Sequence, residues 1–409
     1  MRAPLVARTV ALDPPLRLVD HLPRDAGFVW LHGDDGLVGW GEAARVDPGV
    51  GDGRFARAAD MLAECFAACE VDDGVGAPGC GPVAFGSVTF DWRSGGSALV
   101  VPRVLLGRRG GRAWRTTITA GEPVAARAPG GDEDAVSPAR VRYAGSTVPE
   151  LRWLEAVAAA VEGIRGGGID KVVLARDRLV WSTAAFDPRV LLRRLGARFP
   201  DCFTFWFEGL VGATPELLVR RVGDAVESTV LAGSTPRGAD PAADARLGVA
   251  LRASDKDRRE HALAVESVRA ALAPRCVRLD VDPRPSLLRL DNVQHLATRA
   301  RGELRAPATS LQLAGALHPT AAVCGAPTAE AMRAIRALEG MQRGRYSGPV
   351  GWVDARGDGE WGVALRCAEL YGARARMFAG AGIVEGSLPE AELEETRLKL
   401  RAMQSAFEG

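Results

Sequence analysis

Two rhythms of apolar and polar positions run along the chain, and they change where glycine, proline and aspartate cluster. Residues 171–181 read as one strand. Residues 217–231 read as a hairpin turning at Gly223-Asp224, and residues 348–384 as a three-strand meander turning near Gly357-Asp358-Gly359 and Gly372. Residues 28–43 read as strand, turn, strand, with Asp34-Asp35-Gly36 as the turn. A 3.6-residue period marks the helices. Residues 147–164 place Leu151, Leu154, Ala158, Val161 and Ile164 on one face and stop at Gly166-Gly167-Gly168. Further helices are predicted over residues 257–272, 329–338 and 389–407. Strands that come in hairpins, rather than singly between helices, predict an α+β fold with large antiparallel β-sheets packed together and helices outside. Residues 71–82 read as a loop. The polar, Gly/Ala/Pro-rich stretch 121–138 is the best boundary: residues 1–140 form a weakly informative N-terminal part, and residues 141–409 carry the sharper signals. Repeats at solenoid periods are absent.

Composition narrows the class. A 409-residue chain with 47% hydrophobic and 25% charged residues can bury a large core, and a net charge of +1 carries no electrostatic footprint for nucleic acid or a membrane. Seven scattered cysteines without paired CxxC elements argue against a disulfide framework or a zinc site. The first residues break too early with Arg8 and Asp13 for a signal-peptide core, and the apolar runs fall short of membrane-spanning length, so the cytoplasm is expected. Of the 52 basic residues only Lys171, Lys256 and Lys399 are lysines. Arginine stays protonated, whereas a buried lysine amine can release its proton. All three lysines fall inside motif-like segments.

The helix after Ser254 has a cap signal in Ser254 and Asp257, and an apolar stripe of Ala264, Val268, Ala271 and Leu272. Glu260 and His261 fall in or beside that stripe. An inward carboxylate is costly unless it is paired or binds a cation. The plain alternative is an ion pair with Lys256 at i,i+4. The C-terminal helix repeats the theme: Ser387 and Glu390 read as a capping box, Leu393, Thr396, Leu400, Met403 and Phe407 share a face, and Glu392, Glu395 and Lys399 line one flank. Two carboxylates from separate helices suit a hard cation such as magnesium, or else are solvated charge. Arg366 shares a strand face with the small Ala364 and Ala368, leaving room for a carboxylate ligand. Ala379-Gly380-Ala381-Gly382 would let backbone amides approach an anion.

These segments, in order, resemble the chorismate-utilising enzymes. The matching stretches are KVVLAR (171–176), GATPELLVR (212–220), LAGSTPRG (231–238), SDKDRREH (254–261), QHLAT (294–298), LHPT (317–320), GEWGVALRCAEL (359–370), FAGAGIV (378–384) and ELEETRLKL (392–400). They span about two thirds of the chain. The resemblance implies large packed antiparallel sheets around a central cleft. It implies Glu260 and Glu395 as magnesium ligands that also hold the ring carboxylate of chorismate. Gly233 and Ser234 would touch that end of the substrate, Arg366, Gly380 and Lys399 would grip the enolpyruvyl carboxylate or its surroundings, His295 would be an active-site histidine, and Ala322 would face the ring.

Within that group the resemblance points to isochorismate synthase. Water needs a base to attack C2, and the water-using members resemble this chain in having a lysine at Lys171. Ala232 stands where lysine-nucleophile aminodeoxychorismate synthases have lysine, so no amine is available for a covalent adduct. Glu216 would then protonate the departing C4 hydroxyl. Salicylate synthases share both groups, but some carry threonine at the position of Ala322. Tyr346 departs from the phenylalanine of some isochorismate synthases. Val230 and Asp255 depart from a frequent proline and glutamate without removing a catalytic group. Anthranilate synthase is disfavoured by Lys171, so no obligatory amidotransferase partner is expected. A catalytically silent binding subunit is disfavoured by the intact set Lys171, Glu216, Glu260 and Glu395.

Overall fold

The computed structural model describes residues 5–13, 17–120 and 140–409, and the boundary stretch 121–138 lies outside them. Among the described residues, two sheets dominate. The first has thirteen strands and runs from Arg142–Tyr143 through Lys171–Trp181, Arg374–Ile383, Cys367–Tyr371, Leu210–Thr214, Phe203–Phe207, Phe28–His32, Asp35–Trp40, Val104–Arg109, Arg112–Ala120 and Leu5–Leu12 to Cys69–Asp73, with Gly325–Ala326 beside Lys171–Trp181. The second has ten and runs from Cys276–Val281 through Val293–Leu304, Ala225–Pro236, Leu217–Val222, Gly359–Val363, Pro349–Asp354, Val83–Ser87 and Ala98–Val101 to Ala44–Val46, with Ser286–Arg289 beside Val293–Leu304. Pairing is antiparallel except where Leu5–Leu12 runs parallel to Cys69–Asp73, a strand that overlaps the start of the stretch read as a loop. Each sheet therefore joins a block of strands from residues 140–409 to a block from residues 5–120, through Phe203–Phe207 beside Phe28–His32 in the first and Pro349–Asp354 beside Val83–Ser87 in the second.

An aromatic core binds the sheets to each other. Phe28 of the first sheet stacks on Phe85 of the second at 5.8 Å, and Trp30 lies 5.0 Å from Phe203. Trp30 also donates its indole N–H to the buried carboxylate of Glu360 in the second sheet at 2.8 Å. Each large side chain fully removed from water contributes roughly 1.5–3 kcal/mol, and the polar tips need such partners. Helices cover the outer faces. Pro188–Arg198 and Pro389–Glu408 pack on the first sheet through Leu191, Leu195, Leu400, Met403 and Phe407. Arg54–Ala67, Asp255–Leu272 and Ser310–Leu317 cover the second.

Local signals explain most boundaries and several departures. Ser254 caps its helix by accepting from the Asp257 amide, and the hairpin turns at Gly223-Asp224 as expected. The expected capping box at Ser387 and Glu390 does not form. The Ser387 hydroxyl accepts from the Val384 amide instead, and Leu388 precedes Pro389 at the helix start. In Glu150–Arg165 the buried face is turned from the expected one. Trp153 is buried and donates to the Ala175 carbonyl, which leaves Leu151 68% exposed. The meander is two hairpins in different sheets: Pro349–Asp354 with Gly359–Val363, then Cys367–Tyr371 with Arg374–Ile383.

Candidate active site

That last departure builds the site. The chain crosses from the first sheet to the second at Pro215-Glu216, between Leu210–Thr214 and Leu217–Val222. It crosses back at Ala364–Arg366, between Gly359–Val363 and Cys367–Tyr371. The two crossings run side by side: the Val363 amide donates to the Glu216 carbonyl at 3.2 Å, and the Ala213 amide to the Arg366 carbonyl at 3.2 Å. Glu216 and Arg366 thus face one cavity from the seam between the sheets. Arg366 does not lie on a strand face beside Ala364 and Ala368. It sits in the left-handed region at φ 47°, which a non-glycine residue adopts at a cost.

One cavity is lined by Glu216, Gly233, Ser234, Glu260, His295, Ala322, Arg366, Gly380 and Lys399. Lys171 and Glu395 adjoin it through ion pairs, Lys171 Nζ to Glu260 Oε1 at 3.2 Å and Lys399 Nζ to Glu395 Oε1 at 2.6 Å. Lys171 opens its strand with no exposed surface, and its amine makes no well-aligned hydrogen bond. Lys399 also donates to the Gly380 carbonyl at 2.9 Å, so Gly380 meets the site as an acceptor. Gly233 forms a β-bulge at φ +76°, a conformation that suits glycine, and the bulge brings Ser234 opposite His295. Ser234 Oγ lies 2.9 Å from His295 Nδ1, and His295 Nε2 lies 3.1 Å from Arg366 Nη2.

Burial and charge sort the ionisable groups. Burial lifts the Glu216 carboxyl to about 8, against the pull of Lys171, Arg366 and Lys399, so it carries its proton at neutral pH. Burial also pushes Glu260 upward, but Lys171, Lys399 and Lys256 outweigh it and hold that carboxyl below its ordinary value. His295 is held well below the usual imidazole value, by burial first and then by Arg366 and Lys399.

Other contributors were weakly visible in the chain. Lys256 does not pair with Glu260 four residues on. It reaches Glu392 of the C-terminal helix at 2.5 Å and joins the two helices that carry Glu260 and Glu395. The second glycine of AGAG, Gly382, leaves the space that Glu260 fills: a Cβ there would lie 2.2 Å from Glu260 Oε1 and 3.0 Å from Lys171 Cε. The i,i+2 spacing of Gly380 and Gly382 on one strand face was the available signal. Tyr346 lines the cavity and stacks on Phe378 at 4.9 Å. The oxygen donors offered to a hard cation are Glu260 and Glu395. Among the described residues no cluster of three or more His, Cys, Asp or Glu side chains is poised to bind a metal, so a bound ion would complete its shell with water or substrate oxygens.

A buried acid, a buried amine and two lysine-paired glutamates gathered about one cavity are the parts of an enzyme site. The chain belongs to the chorismate-binding enzyme family: the family described as "Chorismate binding enzyme" matches residues 11–408. Isochorismate synthase DhbC of Bacillus subtilis is 43% identical over 273 residues, covering 64% of this chain and 69% of that protein. Isochorismate synthase EntC of Escherichia coli is 40% identical over 266 residues, covering 64% of this chain and 68% of that protein. The solved structure of MenF, the menaquinone-specific isochorismate synthase of Escherichia coli, superposes with a TM-score of 0.81 at 25% identity, covering 99% of this chain and 95% of that one. No helix among the described residues is long and apolar enough to cross a membrane.

Proposed function

We propose that this protein is an isochorismate synthase that converts chorismate to isochorismate for menaquinone or siderophore biosynthesis. The observation that carries the reading is the placement of two groups about one cavity: Glu216, whose carboxyl burial lifts to about 8, and Lys171, fully buried and ion-paired with Glu260 at 3.2 Å. Lys171 is assigned as the base that takes a proton from water as that water attacks C2. The ring double bond shifts, and Glu216 gives its proton to the C4 hydroxyl, which leaves as water. Atoms balance, because one hydroxyl is gained and one lost. Arg366 suits a substrate carboxylate in bidentate fashion, with Lys399 beside it. Ser234 and the Gly233 backbone meet the other end, His295 orients Arg366, and Ala322 faces the ring. Glu260 and Glu395 are the residues that would hold magnesium. Bound there, the ion supplies positive charge to the substrate's ring carboxylate.

Ala322 leaves a small, unreactive surface beside the ring, which favours release of isochorismate over further loss of pyruvate to salicylate. Incubating the purified protein with chorismate and magnesium, then separating the products, tests the reading. Isochorismate as the main product is expected. Mainly salicylate and pyruvate at neutral pH would make it a salicylate synthase, and anthranilate formed from ammonium at a comparable rate would overturn the role of Lys171.

A further inference from the structure

Two buried histidines flank the Gly233 bulge, and each can be assigned a tautomer from partners whose roles cannot be exchanged. Arg366 only donates, so His295 Nε2, 3.1 Å from Arg366 Nη2, must accept. The ring proton of His295 is then on Nδ1, which faces Ser234 Oγ at 2.9 Å. The Ala232 carbonyl only accepts, so His261 Nδ1, 3.1 Å away, must donate. Its Nε2 lies 2.8 Å from the Thr298 hydroxyl, which can give or take a proton there. His318, away from the cavity, is opposite: its Nε2–H donates to the Phe90 carbonyl at 2.9 Å.

The two imidazoles hold the bulge on either side of Gly233, at the Ala232 carbonyl and at the Ser234 hydroxyl. Glycine at φ +76° has the most backbone freedom to lose, so an unheld bulge would sample other peptide orientations. His261 follows Glu260 on its helix, so the bond to Ala232 also docks that helix on the bulge, where the Asp257 Cβ approaches the space beside Gly233 to 3.2 Å. His295, with its proton committed to the bulge, turns its lone pair to Arg366 and fixes the direction of the guanidinium. We propose that His261 and His295 are a matched pair of positioning residues, each holding its Nδ1–H toward the Ala232–Ser234 bulge, that shape that bulge and aim Arg366 into the cavity. The substrate end of this proposal rests on the chorismate reading of the site.

Long-range proton–nitrogen NMR of the imidazoles in the whole wild-type protein, with its five histidines, tests the tautomers without any reaction. Two rings carrying a proton on Nδ1 are expected, each lost in turn in His261→Gln and His295→Gln. An Nδ1 without a proton at either position, or a protonated Nε2 at His295, overturns the proposal, and the wild-type spectrum decides even if a variant does not fold. Kinetics supply the second arm. Asparagine at 261 keeps an N–H near the Nδ1 position, whereas glutamine places its amide near Nε2. His261→Gln should therefore raise KM for chorismate about tenfold more than His261→Asn does, with kcat changing less. Equal KM for the two variants at equal melting temperature overturns the positioning role. A wild-type protein inactive on chorismate would sink the substrate reading alone, because the tautomer result stands apart from it.

Discussion

Raising the pH from 7 to 9 should switch turnover off through Glu216. Burial lifts this carboxyl from its ordinary 4.5 to about 8. A group of that pKa is about nine-tenths protonated at pH 7 and about one-tenth at pH 9. Only the protonated form can expel the C4 hydroxyl, so kcat for chorismate should fall about tenfold over that interval. Initial rates of isochorismate formation at saturating chorismate and magnesium measure it. The same shift bears on stability, with a definite sign. The unfolded carboxyl loses its proton above 4.5 while the folded one keeps it to about 8, so the folded state loses stability as pH rises between these values. The full shift corresponds to on the order of 5 kcal/mol. Glu216→Gln keeps the shape but cannot ionise. It should lower turnover about 10²–10⁴-fold, yet melt higher than the wild type at pH 8, with the gap closing toward pH 5. Turnover that stays flat to pH 9.5, or a glutamine variant that keeps more than about a tenth of the rate, would refute the acid role.

Three further outcomes follow from the same geometry. Chelation should abolish turnover and added magnesium restore it; Glu260→Gln should weaken magnesium binding at least about tenfold by calorimetry, since an amide is a neutral and poorer ligand. Lys171→Arg keeps the charge but cannot release a proton near neutral pH, so turnover should fall about 10²-fold or more with chorismate still bound, and a near wild-type rate would exclude Lys171 as the base. Gly382→Ala places a methyl group 2.2 Å from the present position of Glu260 Oε1, so it should displace that carboxylate and weaken magnesium binding while leaving the melting temperature within a few degrees.

Much of the site was readable before any contact was known, because it is carried by short segments whose chemistry is local. The scarcity of lysine singled out Lys171, Lys256 and Lys399, and the structure brings each to a glutamate at or beside the cavity. The inward lean of Glu260 and Glu395 came from helical phase alone. Four helices went unread, Arg54–Ala67, Pro188–Arg198, Pro241–Ala253 and Ser310–Leu317. Pro188–Arg198 is rich in arginine, so its apolar stripe of Val190, Leu191, Leu192 and Leu195 stands out only once it is packed.

The chain by itself determined the strand at Lys171–Trp181, the helices at Asp255–Leu272 and Pro389–Glu408, the Ser254 cap, the turn at Gly223-Asp224 and the residue types of the cleft, because each depends on neighbours within a few positions. Partners were decided only in three dimensions. Lys256 could have paired with Glu260 one turn away, but the fold sets Glu392 against it from 136 residues further on. The alternation around Arg366 read as one continuous strand, yet the backbone turns left-handed there and passes from one sheet to the other. No local pattern announces that crossing. It exists because Leu210–Thr214 pairs with Cys367–Tyr371 in one sheet while Leu217–Val222 pairs with Gly359–Val363 in the other. Register between distant strands is a property of the whole packed core, and it brings Glu216 and Arg366, 150 residues apart, to face one cavity.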